Sequence, residues 1–198
     1  LIGGEPFNVG LMNTGLTEQF MIHMKTALFF GLLCASPYVL YVLYRFISPA
    51  LYQNEKLYAS KVVGSAYVMF MIGVAVNYFI IFPLTVHFLG TYQVSPEVAN
   101  MLTLQSYMDT MLLMSLVFGV VFEIPVVSWL LALFGLLRSD WMKQFRRHAI
   151  VAILIVAAVI TPTADMFTLL VVSLPIWLLY EVSIIIVKMT EKPEEEED

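Results

Sequence analysis

From Val62 to Pro96 the chain runs 35 residues without one charged side chain, and no other feature restricts its fold so strongly. In hydrocarbon every backbone polar group must be bonded internally, so about 20 apolar residues in a helix cross a core about 30 Å thick. Charged residues make up 13% of the 198, where a soluble domain carries roughly 25%. That leaves too little polar surface to face water around several such runs. Five segments qualify as spans, near residues 22–47, 62–88, 106–137, 145–161 and 166–188. The expected fold is therefore all-α, a polytopic integral membrane helical bundle with five transmembrane helices present. Residues 1–21 read as an extracytoplasmic lead-in, 22–188 as the bundle, and 189–198 as an acidic, disordered cytoplasmic tail. Much of the formal net charge of −5 sits in Glu194–Asp198, where a like-charged terminal block stays solvated.

Lys and Arg are placed asymmetrically. Arg45, Lys56 and Lys61 flank the first interhelical loop; Arg138, Lys143, Arg146 and Arg147 crowd the third; Lys188 and Lys192 follow the last span. Loops 89–105 and 161–165 have none. The positive-inside rule puts loops one and three and the C-terminus in the cytoplasm. An odd number of spans then puts the N-terminus of this chain outside. Residues 1–21 carry only Glu5 and Glu18, and nothing in them resembles an export signal. This parity predicts a further helix ahead of Leu1. Lys25, near the outer end of the first span, is expected to snorkel outward.

Three local features are expected within the spans. Pro37 should kink the first by removing a backbone bond, and Pro125 should interrupt the third. The last two should be short, with 13 residues between His148 and Pro162 and 15 between Asp165 and Glu181. At about 1.5 Å per residue these stretches cover roughly 20–23 Å, less than a usual core.

Several polar residues call for a reason. Glu123 has 13 uncharged residues before it and 14 after. A charge at a helix centre costs about 2.5–3.5 kcal/mol on insertion scales, so such a residue faces a cavity or the bundle interior. A neutral interhelical hydrogen bond is the plainer use of it. Asp109 is expected near the outer surface, solvated. Asp165, in the turn Thr161-Pro-Thr-Ala-Asp165, suits a cap on the fifth span. Glu55 follows Phe46-Ile-Ser-Pro-Ala-Leu-Tyr-Gln-Asn. Its carboxylate in an apolar, aromatic setting suits recognition of a basic peptide through Arg–carboxylate bonds. Cys34 has no partner for a disulfide, and His23, His87 and His148 are scattered, so no metal or cofactor is implied. No hydrolase or metalloprotease motif is present, and an enzyme is not expected.

Three stretches together resemble one family. Ser48-Pro-Ala-Leu-Tyr-Gln-Asn-Glu55 is similar to the first cytoplasmic loop of TatC proteins, the polytopic subunit of the twin-arginine protein translocase. Phe118-Gly to Phe122-Glu-Ile-Pro125 resembles that family's F-G-x-x-F-E-x-P, and Thr161-Pro-Thr-Ala-Asp165 its T-P-x-x-D turn, with Pro175 following. The resemblance implies six helices in the family, of which this chain has all but the first. It implies a receptor for twin-arginine signal peptides in the bacterial cytoplasmic membrane, with Phe46 and Glu55 binding the peptide. Glu123 would be the intramembrane acid, and Thr161 and Asp165 would belong to a patch where single-span TatA- and TatB-type partners dock. It further implies homo-oligomers, export of folded proteins driven by the proton-motive force, and no nucleic-acid partner. Ala164 and Thr168-Leu169 depart from the family pattern of Pro before the aspartate and Ser-Gln after it. The rival reading is an ion-coupled secondary transporter using Glu123, which predicts inverted repeats, and none is visible.

Overall fold

The computed structural model describes residues 11–13, 15–47, 59–91, 102–161 and 165–191. Helix α1 (Glu18–Ile47) is followed by α2 (Ala59–Val76), which continues through a π-helical turn (Asn77–Ile81) into α3 (Phe82–Thr91). Then come α4 (Leu104–Val121), α5 (Ile124–Leu133), the short α6 (Ser139–Gln144), α7 (Arg146–Ile160) and α8 (Met166–Thr190). Two-residue strands β1 (Leu11–Met12) and β2 (Leu102–Thr103) pair in parallel. Glu55, residues 1–10 and 14 of the expected lead-in, residues 162–164 of the turn between α7 and α8, and residues 192–198 of the expected tail lie outside the described residues.

Four stretches are long and apolar enough to cross a membrane: Glu18–Phe46, Val62–Thr91, Leu104–Leu133 and Met166–Thr190. Four of the five expected spans thus meet that measure among the described residues, and α7, the remaining one, is too short to meet it. Helix α1 starts four residues earlier than expected, because the Glu18 carboxylate holds its first turn (below). Helix α7 is short, as expected, at 15 residues. Helix α8 has 25 residues, and only its uncharged part before Glu181 is short. The helix runs on because Glu181 finds a partner: Arg146 Nη2 donates to its Oε2 over 2.7 Å.

Local chemistry explains the breaks. Helix α1 is continuous through Pro37. A residue there would normally donate its N–H to the Leu33 carbonyl, and the Ser36 hydroxyl donates to that oxygen instead, at 2.7 Å. Pro83 follows the π-helical turn, where the Phe82 N–H reaches back to the Asn77 carbonyl. The third span breaks at Phe122–Glu123, and Pro125 sits in the first turn of α5, where its missing N–H costs nothing. Helix α5 closes on Gly135 at φ 69°, with Gly135 N–H on the Ala132 carbonyl and Leu136 N–H on that of Leu131. That is a Schellman ending, and the left-handed φ favours glycine.

The main core gathers Met114, Phe118 and Phe122 against Ile81, Phe82, Ala157, Val172 and Ile176. Helices α2 and α4 approach closely because two glycines face the contact. A Cβ on Gly73 would lie 2.5 Å from the Phe118 carbonyl oxygen, and one on Gly119 would lie 2.7 Å from the Phe70 ring. Small residues at crossings are how helices pack where lipid removes the hydrophobic driving force. The same pair is joined by Asn77 Nδ2 donating to Ser115 Oγ at 2.9 Å, fully buried.

Candidate functional site

A cavity of about 550 Å³ opens between α1, α2 and the α4–α5 break. Its lining is apolar except for Ser36 and Tyr44 from α1 and Glu123 and Ser128 from the break and α5. Helix α1 supplies one wall as a long, loosely packed span, while Tyr44 anchors it against Val62, Ala66, Val126 and Leu130. Pro125 creates the other wall. The turn it imposes at Phe122–Glu123 places Glu123 as the residue before α5, with its carbonyl accepting from Val127 N–H at 2.9 Å.

Two polar atoms at this cavity are buried and unpartnered among the described residues: Glu123 Oε1 and the Tyr44 hydroxyl. An unpaired buried polar group costs about 1–3 kcal/mol. A cavity holding two of them can therefore take a hydrogen-bonding group carried on an apolar body. Ser36 is already committed to the Leu33 carbonyl.

The other expected site residues fall elsewhere. Phe46 lies two residues past Tyr44, near the end of α1, and is 85% exposed. Thr161 is buried, and its hydroxyl turns back to donate to the Ala157 carbonyl at 3.0 Å. Asp165 caps α8, accepting from Thr168 N–H at 2.7 Å. Neither lines the cavity.

Asp109 is not simply solvated. Lys25 Nζ donates to both its carboxylate oxygens at 2.7 Å, so the lysine that was expected to snorkel reaches across to α4 instead. Beside this pair, Glu18 is 3% exposed and accepts from Gln105 N–H at 2.7 Å and Gly15 N–H at 3.0 Å. Together with the β1–β2 pair, these contacts tie the N-terminal end of α1 to the start of α4. The sequence reading missed Tyr44, and it passed over Asn77 as well. A lone Asn in a 35-residue uncharged run was the available signal for the second. Tyr44 carried no comparable signal, since an aromatic near a helix end reads as an interfacial anchor.

The family model described as "Sec-independent protein translocase protein (TatC)" matches residues 4–175. The TatC protein of Koribacter versatilis is 38% identical over 168 residues, covering 85% of this chain and 61% of the relative. That of Akkermansia muciniphila is 37% identical over 177 residues, covering 89% of this chain and 51% of the relative. The chain thus spans roughly half to three-fifths of the length of these two curated relatives. Among solved structures, a crystal structure described as the twin arginine translocase receptor TatC superposes with a TM-score of 0.81 at 33% identity, covering 93% of this chain and 80% of that one. Matched in sequence along most of its length and in the arrangement of its spans, this chain belongs to the TatC family.

Proposed function

We propose that this protein is the core receptor subunit of a twin-arginine translocation complex in the bacterial cytoplasmic membrane. It binds twin-arginine signal peptides at its cytoplasmic face and organises TatA- and TatB-type partners, and further copies of itself, for export of folded proteins. Membership of the TatC family supports the translocase role. The observation that carries the peptide site is Phe46, an aromatic ring 85% exposed at the end of α1, just beyond the cavity wall. In this reading Phe46 and Glu55 meet the arginines of the signal peptide, with the loop facing the cytoplasm as the Lys/Arg bias suggests. Glu123 serves as an intramembrane acid toward the cavity. Thr161 and Asp165, at the outer turn between α7 and α8, belong to the partner-docking region. The proton-motive force drives transport, and the subunit catalyses no bond-breaking step.

Photo-crosslinking tests this directly. Photoreactive residues at positions 52 and 56, in membranes holding the full-length gene product, are presented with a twin-arginine signal peptide and its twin-lysine variant. Crosslinks that require the arginines and disappear in Glu55→Ala are expected. Crosslinks indifferent to both changes would remove the receptor reading and bring forward ion-coupled transport through Glu123.

A further inference from the structure

The corner between α6 and α7 carries a surface that the translocase reading does not use. Helix α6 is fixed on its inner side, where Met142 packs with Ala132, Ile184 and Val187 and the Tyr180 hydroxyl donates to the Met142 carbonyl at 2.8 Å. The Glu191 carboxylate accepts from the Ser139 N–H and hydroxyl, tying the start of α6 to the end of α8. The outer side is the opposite in character. Trp141 and Phe145, four residues apart, are each 55% exposed, and the Phe145 ring lies 5.6 Å from that of His148.

Four cations flank these rings along the chain. Arg138, Lys143, Arg146 and Arg147 are all exposed. Of these, Lys143 pairs with Asp140 at 3.1 Å and Arg146 with Glu181 at 2.7 Å. Arg147 has no partner among the described residues, and no acidic residue stands in the first turn of α7. Helix α7 has 15 residues, about 22 Å, shorter than a hydrocarbon core about 30 Å thick, so a bilayer crossed by it would have to bring its headgroups down to the first turn. Aromatic rings with unanswered guanidinium charge at that depth match the chemistry of a lipid headgroup. Tryptophan settles at the interface, and basic clusters next to a span attract anionic lipids.

We propose that Trp141, Lys143, Phe145 and Arg147 form a binding site for an anionic phospholipid, with the headgroup phosphate on Arg147 and on Lys143, whose exposed pair with Asp140 it would displace, and the upper acyl region against the two rings. This goes beyond the signal-peptide reading and does not depend on it. A basic peptide would be repelled from the same corner, which separates this surface from the acidic Glu55 loop.

The test uses the full-length protein in nanodiscs of phosphatidylcholine alone or mixed with phosphatidylglycerol. Native mass spectrometry counts retained phosphatidylglycerol, and thermal melts record its stabilisation. Wild type is expected to retain phosphatidylglycerol preferentially and to melt higher in its presence. Lys143→Gln and Arg147→Gln should each weaken apparent lipid affinity about five-fold, while Arg147→Lys keeps most of it and shows that the fold is intact. Arg45→Gln, at a different corner, should change nothing. Equal retention of the two lipids by wild type, or equal losses in the Arg45 variant, would overturn the site.

Discussion

Removing the Glu18 side chain should loosen the end of the bundle where α1 begins far more than its place at the edge of a span suggests. Its carboxylate receives Gln105 N–H at 2.7 Å and Gly15 N–H at 3.0 Å, so one residue serves a first-turn donor of α4 and the turn that leads into α1. The neighbouring donor, Ser106 N–H, is taken by Thr103 Oγ1 at 3.2 Å. Hydrogen bonds to a charged acceptor are worth about 1.5–3 kcal/mol each, but Gln105 is exposed and water can replace part of its loss. Glu18→Ala should therefore cost about 2–3 kcal/mol. The adjacent Lys25–Asp109 pair is 40% and 37% exposed, so Asp109→Asn should cost less, about 1 kcal/mol or under. Thermal unfolding in mild detergent gives the ranking, and amide hydrogen exchange gives the location. Exchange at residues 102–107 should quicken in Glu18→Ala while the α7–α8 hairpin stays protected. If Asp109→Asn proves the more damaging change, or exchange at Gln105 is unaltered, the capping argument is wrong.

Two other substitutions follow from the packing and the caps. Gly73→Ala should destabilise by about 2 kcal/mol, because its Cβ would meet a backbone carbonyl that cannot turn aside. Gly119→Ala meets only the Phe70 ring and should cost less in the same detergent melts; the reverse order would refute the crossing geometry. Asp165→Ala should lose about 1 kcal/mol through the α8 cap, with Asp165→Asn retaining most of it.

Much of this architecture was legible because lipid imposes a length and a composition on each span. The runs at 62–88 and 106–137 correspond to α2–α3 and α4–α5, and Pro125 correctly marked the break beside Glu123. What could not be read were contacts between distant residues. Lys25 and Asp109 lie 84 positions apart, and Asn77 and Ser115 lie 38 apart. No local period encodes such pairs. The π-helical turn was missed for a different reason: Pro83 was passed over, and a proline in any case states that a bond is lost without saying which neighbour absorbs the change. At Pro37 the adjacent Ser36 hydroxyl absorbs it, while at Pro83 the turn before it widens.

Glu123 shows the same division at the site. Its isolation among apolar residues was enough to place it toward an interior, since a carboxyl facing lipid would be expelled or paired. Isolation could not reveal that the facing wall is α1, or that a second unpaired group, the Tyr44 hydroxyl, lines the same cavity. Had the two been made only for stability, the cheaper arrangement would be a hydrogen bond between them or apolar residues in their place. Neither has a partner among the described residues, and both line the cavity of about 550 Å³. A segment that brought a hydrogen-bonding group to these two atoms would be favoured over a wholly apolar one, which would leave them unpaired.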